Sequence, residues 1–195
     1  MIAFIENIDS SVLSALYAAR EPSVVQFFIW VSELASTPVF IVLMTIVAGY
    51  LAYRRKLLHV VGLLAAGLGS GAVTFILKDI IARARPDIFA VPASGFAFPS
   101  GHAVRVVAFY GFLLFLTWPH LSSKWKKIAA SFTSMIILAV GFSRLYLGVH
   151  YLSDVVAGYL IGALFVWIGI RISRTLSLPL PLMKKTLGAQ FDHKD

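Results

Sequence analysis

Two histidines, an aspartate and three basic residues stand out in this chain because each lies beside a long apolar stretch. Ionisable side chains at membrane depth are costly and mark function by default. Lys78 and Arg85 come first, in Lys-Asp-Ile-Ile-Ala-Arg-Ala-Arg-Pro. Their separation of two helical turns places them on one face, with Pro86 ending the helix. Taken alone, they would be interfacial residues snorkelling to the surface. Next is Pro99-Ser100-Gly101-His102, at the start of an apolar run. Ser100 suits a helix N-cap, and Gly101 lets backbone approach a ligand closely. A helix start offers free N–H groups and partial positive charge, which favour an anion. The third cluster is Ser143-Arg144, followed by His150 and Asp154. At a spacing of i and i+4, His150 and Asp154 face each other on a helix. A carboxylate bonded to one imidazole nitrogen fixes the tautomer and frees the other nitrogen as base or nucleophile. A helix cap with a satisfied His–Asp pair is the alternative.

The charges around these histidines discriminate between ligands. Two histidines and Asp154 could hold zinc or non-haem iron. Lys78, Arg85 and Arg144 would repel a metal ion and attract an anion instead. With neutral histidines, three cations and one carboxylate leave a net charge of plus two, matched to a phosphate dianion. Arginine's planar fork binds phosphate oxygens in pairs. No metal or other cofactor is expected. His59, His120 and His193 have no acidic partners at ligand spacing and read as loop residues of the other membrane face. Arg83, Arg105, Glu33 and Asp87 flank the clusters. Snorkelling is the simpler account of the two arginines, with contact to a second phosphate or a lipid headgroup as the alternative.

The elements that position these residues follow from composition. Of 195 residues, 59% are hydrophobic and 13% charged, against about 45–50% and about 25% in soluble proteins. A soluble core of this size could not hide so much apolar surface. The same figures exclude disorder, collagen and coiled coil. The expected fold class is all-α, a polytopic membrane helical bundle. Apolar runs at about 38–53, 58–81, 102–118, 128–142 and 152–172 approach the ~17–25 residues of a span. That gives five transmembrane helices, with six as the alternative count. Segment 23–36, interrupted by Glu33, is too short to span alone and could extend the first span as a kinked helix. Residues 1–22 open with acids rather than a basic region, so no signal peptide is expected there. Ile2, Ile5, Ile8, Val12, Leu13 and Tyr17 recur at helical spacing and predict an amphipathic helix lying in the interface. Gly158-x-x-x-Gly162 permits close helix packing, a weak signal because glycine is common in spans.

Cysteine is absent, so there are no disulfides, thiolate metal sites or cysteine nucleophile. Formal net charge is +8. In a soluble domain this would suggest nucleic acid; here topology explains it, and no nucleic-acid partner is expected. With five spans, eleven basic residues share one face: Arg54, Arg55 and Lys56; Lys124, Lys126 and Lys127; Arg171, Arg174, Lys184, Lys185 and Lys194. The positive-inside rule makes that face cytoplasmic and puts the three clusters outside.

In this order on membrane helices, Lys-x6-Arg-Pro, Pro-Ser-Gly-His and Ser-Arg-x5-His-x3-Asp resemble the type 2 phosphatidic acid phosphatase (PAP2) superfamily, in its bacterial membrane lipid phosphatase branch. All three signature motifs match, as Lys78 to Pro86, Pro99 to His102, and Ser143 to Asp154. The signature region is about 53–174 of one membrane-embedded domain over 1–195, with 175–195 as a cytoplasmic tail. The resemblance implies a metal-independent phosphohydrolase of a bacterial-type inner membrane, working through a phosphohistidine. It implies His150 as nucleophile, Asp154 as its orienting carboxylate, and His102 as acid for the leaving group and then base for water. Lys78, Arg85, Ser100, Gly101 and Arg144 would bind phosphate. The implied partner is a lipid phosphate in the bilayer: phosphatidylglycerophosphate, phosphatidate or undecaprenyl diphosphate, with no obligate protein partner. Lipid A phosphatases share the motifs. Vanadium haloperoxidases share the cation cage but are soluble. A lipid-phosphate binding or transport protein that uses the cage without turnover is the non-enzymatic rival.

Overall fold

The computed structural model describes residues 2–175; the expected tail beyond Thr175 lies outside them. It contains helices and no strand among the described residues. Helix α1 is Ile2–Ala18, α2 is Pro22–Glu33 and α3 is Thr37–Tyr53. Helix α4 covers Leu57–Ile81, α5 Gly101–His120 and α6 Ser123–Tyr146. Helix α7 is Leu152–Thr175. The medium dictates this architecture: hydrocarbon offers no partner to a backbone N–H or C=O, and a helix satisfies its own.

Among the described residues, five stretches are long and apolar enough to cross a membrane, and Pro22–Tyr53 counts as one of them. Helices α2 and α3 therefore form a single broken span, which decides for five over six. The break has a local cause. The N–H groups of Leu34, Ala35 and Ser36 bond back only three residues, to Val31, Ser32 and Glu33. Pro38 in the first turn of α3 then has no N–H to carry the ladder across.

Helix α7 packs against α4, α5 and α6. Its two glycines let it come close to α5: a Cβ at Gly158 would lie 2.8 Å from the Ser100 carbonyl oxygen, and one at Gly162 would lie 2.9 Å from that of Val104. The Gly-x-x-x-Gly signal thus locates the contact between the start of α5 and α7. Helices α3, α4 and α5 share an apolar core of Phe40, Met44, Leu63, Ala66, Phe109 and Phe112. Ile46, Phe75, Phe132, Leu138, Leu160 and Trp167 point outward, which suits lipid rather than water.

The alternating helix directions gather Arg54, Arg55 and Lys56, Lys124, Lys126 and Lys127, and Arg171 and Arg174 at one end of the bundle. Lys184, Lys185 and Lys194 lie outside the described residues. The opposite end carries the three clusters, and is called the outer end below. Helix α1 lies over the outer ends of α6 and α7. Ile5, Ile8 and Tyr17 are exposed on it, whereas Val12, Leu13 and Leu16 turn inward and Asp9 is only 2% exposed. The expected amphipathic helix forms, with a carboxylate in its protein-facing side.

Candidate active site

Four segments meet at the outer end: the loop after α4, the first turn of α5, the last turn of α6 and the turn leading into α7. Helix α4 stops at Ile81, where Ala82 adopts a left-handed φ of 47° and donates its N–H to the Lys78 carbonyl. Pro86 therefore does not end the helix, and Lys78 and Arg85 do not share a helical face. The reversal at Ala82 turns the chain into loop 82–99, and the two cations meet through that loop. Arg85 braces it, donating to the carbonyls of Gly95 (2.9 Å), Ser94 (2.9 Å) and, across the site, Val149 (2.7 Å). Lys78 Nζ donates to the Phe96 carbonyl at 2.5 Å.

Ser100 is the N-cap residue of α5, but its hydroxyl caps nothing; Oγ is buried without a hydrogen-bond partner. Its N–H donates to the main-chain carbonyl of Asp154 at 3.0 Å. His102 stands in the first turn, with Arg105 one turn further. Arg105 donates through Nε to the Ala35 carbonyl at 2.8 Å, and its Nη2 lies 3.3 Å from His102 Nδ1. A guanidinium has no lone pair to offer, so Nδ1 is the acceptor and the His102 proton sits on Nε2.

Arg144, in the last turn of α6, is buried and donates through Nη1 to Ser32 Oγ on α2, while its Nε has no partner. Gly148 carries the following turn at a φ of 67°; a Cβ there would sit 2.7 Å from the Ile88 carbonyl oxygen, so the turn admits no side chain. His150 lies in this turn and not on a helix, because α7 begins only at Leu152. Its pairing with Asp154 is thus a capping geometry and not the facing of i and i+4 on one helix. Asp154 Oδ2 accepts the Tyr151 N–H at 2.9 Å, as an acidic residue in a first turn does. The same oxygen lies 3.6 Å from His150 Nδ1. On the other side of the ring, Arg85 Nη1 is 3.3 Å from Nε2, which again needs a lone pair there. Asp154 is 0% and His150 2% exposed. Burial pushes His150 down to about 4 against the pull of Asp154, with Arg144 and Arg85 adding to the fall. The ring is therefore neutral at physiological pH, with its lone pair on Nε2, facing Arg85.

The residues named from the motifs converge. Ser32, Glu33, Ser36, His102, Arg144 and Leu147 line a cavity of ≈ 270 Å³. Lys78 is within electrostatic reach of Arg85, Arg105 and Asp154; His102 is within reach of Arg144, His150 and Arg85. Gly101 opens α5 between Ser100 and His102. Snorkelling does not describe Arg83 or Arg105: both are bonded inward, Arg83 to Asp154 and Asp9 at 2.6 and 2.7 Å. The helical spacing of His102 and Arg105 was a legible signal. The roles of Ser32 and Asp9 rest on contacts 112 and 144 residues apart, for which the motifs give no sign. Glu33 lines the cavity, and Asp87 is exposed. His59 and His120 line a separate, mainly apolar cavity with Lys56 at the basic end. Among the described residues, no three His, Asp or Glu side chains cluster as metal ligands would.

The model of the PAP2 superfamily matches residues 56–177. The chain belongs to the PAP2 superfamily. Phosphatidylglycerophosphatase B of Bacillus subtilis (strain 168) is 30% identical over 168 residues, covering 84% of this chain and 82% of that protein. The undecaprenyl-diphosphatase of Sulfolobus acidocaldarius is 32% identical over 107 residues, covering 51% of this chain and 48% of that protein. The crystal structure of the transmembrane PAP2-type phosphatidylglycerolphosphate phosphatase from Bacillus subtilis superposes with a TM-score of 0.81 at 28% identity, covering 89% of this chain and 88% of that one. These relatives are membrane lipid phosphatases, and this PAP2 chain is likewise a multi-pass membrane protein.

The depressed His150 makes stability depend on pH. Its folded-state value of about 4 lies below the ordinary 6.5, so only the unfolded chain takes up a proton between those values. Relative to His150→Gln in detergent, the wild-type melting temperature should fall as pH drops from 6.5 to 4. A constant difference between the two across that window would mean that His150 is not held neutral.

Proposed function

We propose that this PAP2 protein hydrolyses a phosphate monoester or diphosphate carried by a lipid, at the outer face of a bacterial-type inner membrane. One observation carries the reading. A neutral histidine faced by a buried carboxylate shares its site with Lys78, Arg85, Arg105 and Arg144, and with buried hydroxyl and guanidinium donors that have no protein partner, Ser36 Oγ, Ser100 Oγ and Arg144 Nε. Phosphoryl transfer demands positioning and neutralisation of the equatorial oxygens more than covalent machinery. The phosphatase relatives support the same class.

In this reading, Lys78, Arg85 and Arg144 hold the phosphate oxygens, with the Ser100 hydroxyl and the N–H of Gly101 at the start of α5. Lys78 and Arg85 exchange loop carbonyls for phosphate as they do so. His150 Nε2 attacks phosphorus in line and forms the N–P bond as the bond to the leaving oxygen breaks. His102 gives its Nε2 proton to that oxygen. Asp154 stays ionised, accepts a hydrogen bond from Nδ1–H of the now cationic His150 and stabilises it. Water, giving a proton to His102, then attacks phosphorus; the N–P bond breaks, and inorganic phosphate leaves with both histidines restored. Phosphatidylglycerophosphate, phosphatidate and undecaprenyl diphosphate are the candidate substrates, with the headgroup in the site and the tails in the bilayer. The basic residues at the opposite end support an extracytoplasmic site.

Phosphate release from a panel of these lipids in detergent should persist in EDTA. His102→Ala should cut lipid turnover by about 10²–10⁴-fold, as loss of a general acid does, yet spare more of the turnover of p-nitrophenyl phosphate, whose leaving group needs no proton. Release abolished by EDTA, or equal loss for both substrates, would contradict the scheme. For orientation, the chain's lack of cysteine is convenient. Ala93→Cys should react with a membrane-impermeant thiol reagent in intact cells and Ser123→Cys should not; the reverse pattern would place the site in the cytoplasm.

A further inference from the structure

Resting on that reading of His150, we infer that Asp9 of α1 and Arg83 of the loop after α4 are positioning residues for the reaction: with Ser153, they hold Asp154 in the orientation that sets His150. Both terminal nitrogens of Arg83 are engaged by protein oxygens. Its Nη1 donates to Asp154 Oδ1 at 2.6 Å and to Ser153 Oγ at 2.7 Å, and its Nη2 donates to Asp9 Oδ2 at 2.7 Å. The Tyr151 ring lies against the guanidinium, 4.2 Å from its carbon. Asp9 uses both oxygens as well. Oδ1 accepts the Ser153 N–H at 2.9 Å, and Oδ2 accepts the Ser153 hydroxyl at 2.5 Å. One oxygen of Asp154 is thereby fixed by Arg83, and the other is left for the Tyr151 N–H and the His150 ring.

The second carboxylate has an electrostatic purpose. A guanidinium paired with Asp154 alone would cancel the charge that Asp154 presents to His150. Asp9 supplies a matching charge, so the Asp9–Arg83–Asp154 trio keeps one net negative charge beside the imidazole. Burial opposes the ionised form of Asp9, but the hydrogen bonds from Arg83 and Ser153 hold it below the usual carboxylate range. The docking of α1 does not depend on this cluster alone. At its other end Arg20 donates through Nε to the Tyr146 carbonyl at 2.9 Å, and the Tyr146 hydroxyl donates to the Ala19 carbonyl at 3.0 Å. Loss of the Asp9 charge can therefore be separated from loss of the helix.

The test is Asp9→Asn in the full chain, alone and in an Asp154→Asn background, with p-nitrophenyl phosphate as substrate and vanadate as inhibitor. Asp9→Asn should lower kcat by about 10–100-fold, the range for partners that orient a functional group. KM and the vanadate inhibition constant should stay within about twofold, because the phosphate-binding cations are untouched. In the Asp154→Asn background the same change should cost less than about threefold, since the relay acts through Asp154. A loss that persists in that background, or that follows the melting temperature, overturns the proposal. The His150 tautomer gives a readout that needs no turnover. By NMR of isotopically labelled histidine in detergent, the wild-type ring should carry its proton on Nδ1, and Asp9→Asn should show a mixture of tautomers. An unmoved His150 signature overturns the relay whether or not any substrate is cleaved. A wild-type chain with the Nδ1–H tautomer but no phosphatase activity contradicts the phosphatase reading and leaves the relay standing. Should Asp9→Asn fail to fold, Arg83→Lys, which keeps the charge but loses the fork joining Asp9 to Asp154, carries the same tests with the same signs.

Discussion

A carboxylate with no exposed surface, at the edge of a membrane, has to be given partners by the protein. Asp154 is that group, and its partners come from separate segments. Arg83 reaches it from the loop after α4, the Tyr151 N–H from the turn before α7, and the His150 ring from the same turn. The main-chain carbonyl of Asp154 accepts the N–H of Ser100, at the start of α5. Satisfying one residue therefore draws three of the four site segments together. Removing its charge would leave the part-buried guanidinium of Arg83 half-paired and the imidazole free to choose its tautomer.

The remaining difficulty is a concentration of cations. Arg85, Arg105 and Arg144 lie within electrostatic reach of the same histidine. The oxygens that accept their hydrogen bonds are neutral: the carbonyls of Gly95, Ser94 and Val149 for Arg85, that of Ala35 for Arg105, and the Ser32 hydroxyl for Arg144. Carbonyl and hydroxyl oxygens hold the side chains in place without neutralising them, so the field is preserved for an anionic ligand. The loop and turns that carry these carbonyls lie at helix ends. Within the hydrocarbon, helices must satisfy their own polar groups, so the chemistry gathers where the spans stop.

This division explains what could be read from the sequence. Composition and apolar run length dictate the helical state, and five spans follow; only the break between α2 and α3 needs the local detail of Pro38. The motif residues were legible because each is an ionisable or polar group where hydrocarbon should be. Their geometry was not. Periodicity extends a helix through Arg85 and another through His150, yet Ala82 and Gly148 reverse the chain at both places, so the pairs meet through turns and loop carbonyls. Asp9 and Ser32 escaped because their partners are remote in sequence, and an acid in an N-terminal amphipathic helix looks like any solvated residue. Arg105 was within reach of helical spacing from His102, but snorkelling was the simpler account.

The central claim is that His150 Nε2, kept neutral and oriented by Asp154, becomes covalently bound to phosphorus. The direct measurement is rapid acid quench of purified enzyme with substrate labelled in the transferred phosphate, followed by peptide mapping of the trapped label. The expected phosphoenzyme is stable in base and labile in acid, located at His150 and absent from His150→Ala. A phosphoenzyme that persists in His150→Ala, or turnover with label on no residue at any quench time, would contradict it.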